Sequence, residues 1–591
     1  MAVSPTITTQ RGGSWLLEDS PQNDTFTPER MTEEQRLIDQ TAREFVTNEV
    51  VDHNAQLETK DWDLARRLLE RCGDLGLLGT DVPETYGGIS LDKVSSAIIA
   101  SRLGQSGSFS TTFGAQTGLA ILPIRTFGTE DQKTRYLPKL VTGEWVGAYC
   151  LSESGSGSDA LGAKTRAVRL EDGSYSLTGE KMWISNGGFA DLYVIFAKID
   201  GEQFTAFLVE RGFEGVSSGA EEHKMGLAGS STTPVILQDV RIPAANILGE
   251  IGQGHKVAFN VLNYGRFKLG AATAGSAQMA IGEAARYAAQ RQQFNQPIAN
   301  FGAIKHKLGE MTIRAYAIES MVFRTAGLID AALNEHTSDN DGVLLATLEE
   351  YAIEASILKV AGSEILDYIF DENIQIHGGN GYVKDYPAER HYRDSRVNRI
   401  FEGTNEINRL LIPSMLLRRA LKGHLPLIEA AQQVQNEILN LTPTILDNNR
   451  LLAPQVTAVG MFKKVALAVL GLALQTYGDK LSDQQEILSL TADILIDVFT
   501  AETILHRALQ SSASGTSTAV LQVEAVRSFV SDATGRIELA ARSALAAMTE
   551  GDNLRIQLAA LRRLLKVTPV NTVSIRRQLA DQVVARAGYI F

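Results

Sequence analysis

The stretch from Gln375 to Arg409 contains the residues of this chain that are best placed to do chemistry. Gly378, Gly379 and Gly381 stand among apolar residues, where glycine weakens an element unless the backbone must approach something closely or adopt a positive φ. Glu402 follows an aromatic residue and precedes a glycine, which predicts a turn that can direct its carboxylate and amide into a pocket. On these residues alone, a solvated loop carboxylate is the commoner outcome.

The sequence GGNGY, then RD, then FEGTNEI with an arginine two positions later resembles the C-terminal signature of the acyl-CoA dehydrogenase family. In that family the glutamate of the aromatic-Glu-Gly-Thr motif is the catalytic base, and Glu402 matches it. The resemblance implies FAD-dependent conversion of a fatty acyl-CoA to the trans-2-enoyl-CoA in fatty acid β-oxidation, on medium to very long chains. It also implies cofactor contacts at Thr404 and Glu406 and a substrate contact at Gly403.

Length and charge limit the other function classes. A chain of 591 residues is too long for one compact core, so we expect several domains. Its 56 basic and 69 acidic residues give a net charge of −13 without a basic block, which argues against a nucleic-acid partner. Cys72 and Cys150 are too few for a disulfide framework, which indicates a reducing compartment. We predict no metal site.

The first residues show neither a signal nor a transit-peptide pattern, so a cytoplasmic location is expected. The most apolar run, Val465 to Leu474, is about half of the ~20 residues that cross a bilayer. At most, we expect peripheral contact with the inner face of a membrane. The apolar residues between Leu439 and Pro454 are the candidate segment for that contact.

Hydrophobic periodicity divides the chain into five parts. We expect an extended N-terminal arm over 1–27, a helical domain over 28–143, a β domain over 144–253, a helical bundle over 254–424 and a further helical domain over 425–591. The order is that of the acyl-CoA dehydrogenase fold, mainly α with a central β domain. The C-terminal extension resembles that of the very-long-chain branch and of bacterial long-chain fatty acyl-CoA dehydrogenases.

Local patterns support this division. Thr32 with Gln35 forms a capping-box pattern that opens a helix, and Asp172-Gly173 and Asp200-Gly201 are typical of tight hairpins. The first helix should bury Leu37, Ile38, Phe45 and Val50. One apolar stripe near the C-terminus is formed by Ile487, Leu490, Ile494, Val498, Ala501, Leu505 and Ala508.

The segment YCLSESGSGSDALGAKT, from Tyr149 to Thr165, is a weak pattern by itself, since Gly/Ser-rich loops are usually linkers. It resembles the family's flavin loop, with serine at Ser152 in place of threonine and Ser154 in place of proline. The resemblance implies contacts with FAD or the acyl-CoA at Tyr149, Leu151, Ser152, Gly157 and Ser158.

A second cofactor element is implied by Lys181 to Gly188, which contains Trp183, Ile184 and Ser185. A tryptophan in a β domain is ordinarily a core residue. In the family, the tryptophan covers one flavin face and the hydroxyl at the Ser185 position hydrogen-bonds the ring. No dinucleotide-binding G-x-G-x-x-G fingerprint follows a strand, so we do not expect a Rossmann fold.

Contacts across a dimer are implied by two further resemblances. Arg291 and Phe294 match an Arg-x-x-Phe that reaches the neighbouring subunit's FAD, where the guanidinium suits the pyrophosphate. Gln375, Gly378 and Gly379 match a loop that meets the adenosine half of FAD. The resemblance therefore implies a homodimer or a higher homo-oligomer.

Substrate contacts are implied at Asn263 and Arg266, beside the base. Family branches that keep the base elsewhere have a glutamate at the position of Gly265, so its absence leaves Glu402 as the matching base. In the very-long-chain branch, two glycines line the acyl tunnel, and here Ala120 and Pro123 align with them. The preferred chain length stays open on this basis.

Three alternatives accompany this interpretation. The family passes its electrons to an electron-transferring flavoprotein, whereas an acyl-CoA oxidase with the same motifs would pass them to oxygen. A scaffold protein could keep the fold and use the C-terminal domain to bind partners. Attachment of the dimer to a membrane through Leu439 to Pro454 is a third hypothesis.

Overall fold

The computed structural model describes residues 10–18, 24–336, 341–439 and 450–591. The expected N-terminal domain is helical. Its helices are α1 Glu33–Phe45, α2 Asn54–Leu57, α3 Trp62–Asp74, α4 Lys93–Leu103, α5 Gly107–Gly114, α6 Leu122–Phe127 and α7 Glu130–Val141. A π-helical turn, Ala115–Ile121, joins α5 to α6.

The first helix begins as its sequence predicts. The Thr32 side chain accepts from the Gln35 amide, and the Gln35 side chain accepts from the Thr32 amide. Phe45 and Val50 are buried, but the expectation for Leu37 was wrong, because its side chain is 63% exposed. Ile38, Ala42 and Phe45 form the stripe of the helix that faces inward, and Leu37 lies on the helix surface next to that stripe.

The central β domain is built around one mixed sheet in the order β6-β7-β3-β2-β4-β5-β8, with β1 paired to β4. Asp172-Gly173 connects β2 to β3 and Asp200-Gly201 connects β4 to β5, so both predicted hairpins are confirmed. The strands are β1 Gly147–Cys150, β2 Arg166–Arg169, β3 Tyr175–Ser185, β4 Leu192–Ile199, β5 Gln203–Glu210, β6 Val216–Ser218, β7 Thr232–Ile242 and β8 Ile247–Leu248.

Long helices return after the sheet and form the bundle. Close approach of α8 to α11 is permitted by glycine, since a Cβ on Gly270 would lie 2.9 Å from the Leu358 Cβ. The elements are α8 Gly254–Gln290, the small hairpin of β9 Gln292–Gln293 and β10 Gln296–Pro297, α9 Gly302–Asn334, α10 Asp341–Glu350, α11 Ala352–His377, α12 Ala388–Ser395 and α13 Asn405–Leu421.

The C-terminal region is helical and continues the core of the bundle. The predicted apolar stripe lies on α16 and faces inward, with Leu490 partly buried and its other members fully buried. The helices are α14 Leu427–Leu439, α15 Ala453–Tyr477, α16 Gln485–Ser514, α17 Ala519–Met548, α18 Gly551–Leu564 and α19 Thr572–Arg586.

One helical stretch, Ala453–Asp483, has the length and mean hydropathy, 1.7, of a membrane-crossing helix. The expectation that no segment is long enough to cross a bilayer was based on the shorter run Val465 to Leu474, which lies within this stretch. Within the apolar window, 61% of the residues are buried inside the fold, as in the core helices of water-soluble proteins.

Of the candidate membrane-contact segment, residues 440–449 lie outside the described part of the chain. Beyond them, Leu451 is exposed and Leu452 is buried.

The N-terminal arm is anchored in the helical core, which the sequence did not indicate. Trp15 is buried on a short 3-10 turn, with its ring centroid 5.1 Å from that of Phe499 on α16. Its indole N–H donates to Glu354 on α11 at 2.9 Å. The arm therefore joins the bundle to the C-terminal helices.

A buried charge network also joins these two regions. Glu502 on α16 accepts from Arg324 on α9 at 2.8 Å and from Lys463 on α15. Burial alone would raise the pKa of Glu502, but the two cations lower it to about 2. Because the folded pKa lies below the unfolded one, the network stabilises the fold at neutral pH and loses this effect as the pH falls.

Replacing Glu502 by Gln should lower the stability of the fold by about 3 kcal/mol, because two buried cations would lose their carboxylate. The midpoint of thermal unfolding at pH 7 measures this. Glu538→Gln, which breaks the exposed pair with Arg542, is the control and should change stability by less than about 0.5 kcal/mol. Equal midpoints for the two variants would contradict the stabilising role of the network.

Candidate active site

Glu402 lies on a tight turn between α12 and α13. Its φ is 56° and that of Gly403 is 80°, so two successive residues are in the left-handed region, where glycine is favoured. The turn directs the Glu402 carboxylate into an internal cavity. Within the described residues, its Oε2 atom has no hydrogen-bond partner, and no acceptor pairs with its main-chain N–H.

Two buried cations flank this turn without bonding the carboxylate. Arg266 on α8 donates to the main-chain oxygen of Glu402 at 3.1 Å and to Asn263 Oδ1 at 3.1 Å. Lys359 on α11 donates to Asn405 Oδ1 at 2.6 Å. The loop is therefore held from both sides, while the carboxylate oxygens stay free.

The electrostatics of Glu402 follow from this arrangement. Burial raises the pKa of Glu402 to about 7, against the lowering effects of Arg266 and Lys359. Burial also lowers the pKa of Arg266, and Glu402 acts against that change. A carboxyl group of this kind can accept a proton from a weak carbon acid near neutral pH.

The cavity begins at Glu402 and Gly265 and extends along α8 to Met279. A Cβ added to Gly265 would lie 2.9 Å from Glu402 Oε2, so the absence of a side chain there makes room for the carboxylate. Fourteen residues of helix correspond to about 21 Å. Much of the opposite wall is apolar and comes from α4, α5 and the π-helical turn.

The two positions expected to line an acyl tunnel do not do so. Ala120 and Pro123 are buried in the protein, and Ala120 faces Gly147 on β1, where an added Cβ would lie 2.3 Å away. The cavity wall is formed instead by Gly114, Ala115, Gly118 and Leu119. Both sets of positions lie on or next to the π-helical turn, whose packing decides which of its residues face the cavity.

The predicted flavin loop is fixed by a buried ion pair that the sequence analysis missed. Lys181 on β3 donates to Glu153 at 2.7 Å, and Glu153 also accepts from the Thr165 hydroxyl. This fixes the loop at its two ends. Leu151 is buried, Ser152 is half-buried, and Gly157 and Ser158 are exposed. The backbone of Gly157 and Ser158 and the Ser158 hydroxyl are therefore open to a ligand.

Tyr149 precedes the loop and is half-buried. Its ring packs on Phe196 with centroids 5.1 Å apart, and its hydroxyl lies 3.4 Å from the main-chain oxygen of Ala258. Burial raises the pKa of Tyr149, and the charge of Glu402 adds to that rise. Tyr149 is therefore close enough to Glu402 to respond to its charge.

Trp183 differs from an ordinary core tryptophan, because it is 54% exposed with a φ of 58°. A register shift between β3 and β7 at Lys181 and Ile184 accounts for this, since such bulges turn side chains out of a sheet. Ser185 lines the cavity. Ile184 is buried in the β-domain core, so only its backbone can meet a cofactor.

The structure separates a second group of predicted cofactor residues from this cavity. Arg291 and Phe294 lie on the hairpin after α8, where Phe294 is 86% exposed. Gln375, Gly378 and Gly379 are exposed at the end of α11. The two helix ends adjoin, because Tyr287 stacks on His377 with centroids 4.1 Å apart.

The remaining predicted residues have distinct roles in the fold. The Thr404 hydroxyl caps α13 by accepting from the Ile407 amide at 3.2 Å, and Glu406 is exposed on the first turn of that helix.

Sequence reasoning missed Lys359 and Asp394. Both are charged residues at buried positions, and the lysine in the apolar run ILKVAG was the available signal.

Comparison with known proteins agrees with this geometry. Family profiles described as acyl-CoA dehydrogenase N-terminal, middle and C-terminal domains match residues 32–144, 148–240 and 252–417. A second profile, also described as an acyl-CoA dehydrogenase C-terminal domain, matches residues 461–563. Both helical regions and the β domain are thus matched.

Three individual proteins are similar over most of the chain. A probable acyl-CoA dehydrogenase of Bacillus subtilis is 48% identical over 98% of both chains. The human mitochondrial very long-chain specific acyl-CoA dehydrogenase is 37% identical over 76% of this chain and 70% of its own. A crystal structure of an acyl-CoA dehydrogenase complexed with FAD from Bacillus anthracis has a TM-score of 0.96 and 46% identity, covering 98% of this chain and 100% of that one.

The three-part fold with its C-terminal helices thus agrees with the profiles and the similar proteins. The chain belongs to the acyl-CoA dehydrogenase family of oxidoreductases.

Proposed function

We propose that this protein is an FAD-dependent dehydrogenase of long-chain fatty acyl-CoA thioesters, with Glu402 as the base. The observation that carries the proposal is the state of that carboxylate. It lines the cavity with one oxygen free of hydrogen bonds, and burial raises its pKa to about 7. Its place in metabolism would be the first oxidation of fatty acid β-oxidation.

FAD is the cofactor, and the residues present fit it. An exposed tryptophan on a bulged strand offers a flat apolar face, and Ser185, two residues later, brings a hydroxyl to the cavity. The loop around Gly157 and Ser158 offers free backbone donors. When bound, FAD supplies the acceptor for the hydride that leaves the β-carbon of the substrate.

The chain's own groups perform the proton chemistry. The main-chain N–H of Glu402, which has no acceptor within the described residues, can donate to the thioester oxygen and stabilise the negative charge that develops there. One such donor contributes about 3 kcal/mol to a transition state. The Glu402 carboxylate then takes the α-proton, and its raised pKa favours this transfer. The product is the trans-2-enoyl-CoA.

The length of the cavity favours long acyl chains. Its wall on α8 continues from Gly265 to Met279, which is about 21 Å of helix. Gly114 and Gly118 widen the opposite wall, since a Cβ on either would meet no atom within 4 Å. An extended chain advances about 1.2 Å per bond, so this length exceeds what a short acyl group needs.

A homodimer accounts for the second group of cofactor residues. Arg291 follows Gly265 by 26 positions on or next to α8, which corresponds to about 39 Å. An extended dinucleotide is too short to reach from the base to that hairpin. We therefore propose that Arg291, Phe294 and the loop at Gly378 serve the cofactor of a neighbouring subunit.

An electron-transferring flavoprotein is the proposed acceptor of the electrons that leave the enzyme, and anaerobic turnover with it would support this over an oxidase. We propose a cytoplasmic location, with peripheral contact at the inner face of the membrane. Two buried free thiols, Cys72 and Cys150, support a reducing compartment.

Glu402→Gln should keep bound FAD but abolish bleaching of the flavin absorbance by acyl-CoA, because an amide cannot accept the α-proton. Anaerobic titration with palmitoyl-CoA measures this. The double variant Glu402→Gly with Gly265→Glu is the matched test of geometry. It brings a carboxylate into the same space and should recover part of the bleaching. Full bleaching by Glu402→Gln would remove Glu402 from the mechanism.

Ala272→Leu should shorten the usable cavity, because Ala272 lines it two helical turns beyond Gly265. We expect kcat/KM for palmitoyl-CoA to fall by at least about tenfold, while kcat/KM for butyryl-CoA changes by less than about twofold. Ala546→Leu, the same change on the exposed face of α17, is the control. A parallel loss on both substrates would contradict the proposed path of the acyl chain.

Arg291→Ala should lower the FAD content of the purified protein, because the cofactor pyrophosphate would lose a guanidinium from the neighbouring subunit. The ratio of flavin to protein absorbance measures the content. Arg555→Ala removes an exposed arginine on α18 and serves as the control. Unchanged flavin content in Arg291→Ala would argue against the cross-subunit assignment.

A further inference from the structure

Lys359 is a buried ammonium group that the proposed chemistry has not yet used. Its side chain lies on α11 with 0% exposure, and its ammonium donates to the neutral amide oxygen of Asn405 at 2.6 Å. Within the described residues, no carboxylate lies at ion-pair distance from it. Burying a charge without a contacting partner is unfavourable, so its presence calls for a function.

Asn405 connects this lysine to the base. It lies three positions after Glu402 and is the first residue of α13. Its amide nitrogen donates to the Ser363 hydroxyl and to Glu364, each at 3.0 Å. The turn that bears Glu402 is therefore anchored to α11 by residues that are not among those lining the cavity.

Four charged groups act on Lys359. Burial lowers the pKa of Lys359 to about 7, Glu402 is the largest influence that raises it, and Arg266 lowers it. Glu406 and Glu364 also act to raise it, but Glu406 is exposed to solvent and Glu364 is engaged by Arg409 at 2.6 and 2.8 Å. Glu402 is thus the counter-charge that is neither solvated nor already paired.

We propose that Lys359 is a positioning residue that supplies a positive charge beside the turn and keeps Glu402 ionised and able to accept a proton. The inference rests on the proposed role of Glu402 as the base. An ammonium bonded directly to the carboxylate would occupy the lone pair that takes the proton. An ammonium held beside the turn, without a bond to the carboxylate, favours the ionised form of Glu402 and leaves that lone pair directed into the cavity.

The pH profile of kcat/KM tests this proposal, because it reports the ionisation of the free enzyme. Lys359→Met removes the charge and should move the acidic limb upward by about one pH unit, so that kcat/KM at pH 6 falls about tenfold. At pH 9 it should change little. Ser363→Ala removes a hydrogen bond to Asn405 without changing charge, and its acidic limb should match the wild type.

Two results would overturn the proposal. One is a wild-type acidic limb in Lys359→Met. The other is an equal shift in Ser363→Ala, which would show that anchoring of the turn, and not charge, sets the ionisation. Flavin content and thermal unfolding of each variant verify that the fold is retained.

A stability cycle gives a second measurement that needs no turnover. Thermal unfolding is compared for the wild type, Lys359→Met, Glu402→Gln and the double variant. At pH 7, Lys359→Met should cost more stability in the wild type than in the Glu402→Gln background, where the ammonium has lost its counter-charge. At pH 5, where Glu402 is protonated, this difference should vanish.

If the stability cycle shows no coupling between Lys359 and Glu402 at pH 7, the proposed role of Lys359 is contradicted. If no acyl-CoA bleached the wild-type flavin, the proposed function would fail, yet the stability cycle would still report whether the two groups interact.

Discussion

The chemistry proposed for this protein depends on keeping one carboxylate away from water without giving it a hydrogen-bond partner. A solvated glutamate is too weak a base for a carbon acid, and one held by a guanidinium would be weaker still. Here the two cations bond the backbone and a neighbouring amide, so Glu402 feels their charge while its Oε2 atom has no partner within the described residues. The raised pKa follows from burial, and the cations limit how far it rises.

The rest of the fold maintains this condition. Gly265 leaves space for the carboxylate, and the close packing of α8 and α11 at Gly270 brings both cation-bearing helices to the same turn. Ser185 and Leu227 of the β domain also line the cavity, and the Glu153–Lys181 pair fixes the Gly/Ser-rich loop of that domain. Two of these structural features, a missing side chain and a close helix contact, require glycine.

Much of the fold and the turn at Glu402 were predictable from the sequence, because they depend on local patterns. The capping box at Thr32, both Asp-Gly hairpins and the inward stripe of α16 are set by residues close together in the chain. The Phe-Glu-Gly-Thr motif pointed to Glu402 through its resemblance to the family motif, and the turn expected there is present, with positive φ at two successive positions.

Other features could not be predicted because they depend on contacts between distant residues or on irregular backbone. Lys359 can act on Glu402 only because α11 places it beside the Glu402 turn, which is formed more than forty residues later in the chain. Alignment could not show that Gly114 and Gly118 line the cavity and that Ala120 and Pro123 do not, because this depends on how a π-helical turn packs. Leu37 was assigned to the core because hydrophobicity alone does not indicate which neighbour of a stripe faces outward.

The docking of the N-terminal arm affects the order in which the chain can fold during synthesis. Thr25 bonds His506, which follows it by 481 residues, and Trp15 rests on Phe499 of the same helix. Although the arm leaves the ribosome first, its binding surface is complete only after α16 has emerged. The arm is therefore among the last segments to reach its native position, and translation arrest before α16 leaves it without a docking site.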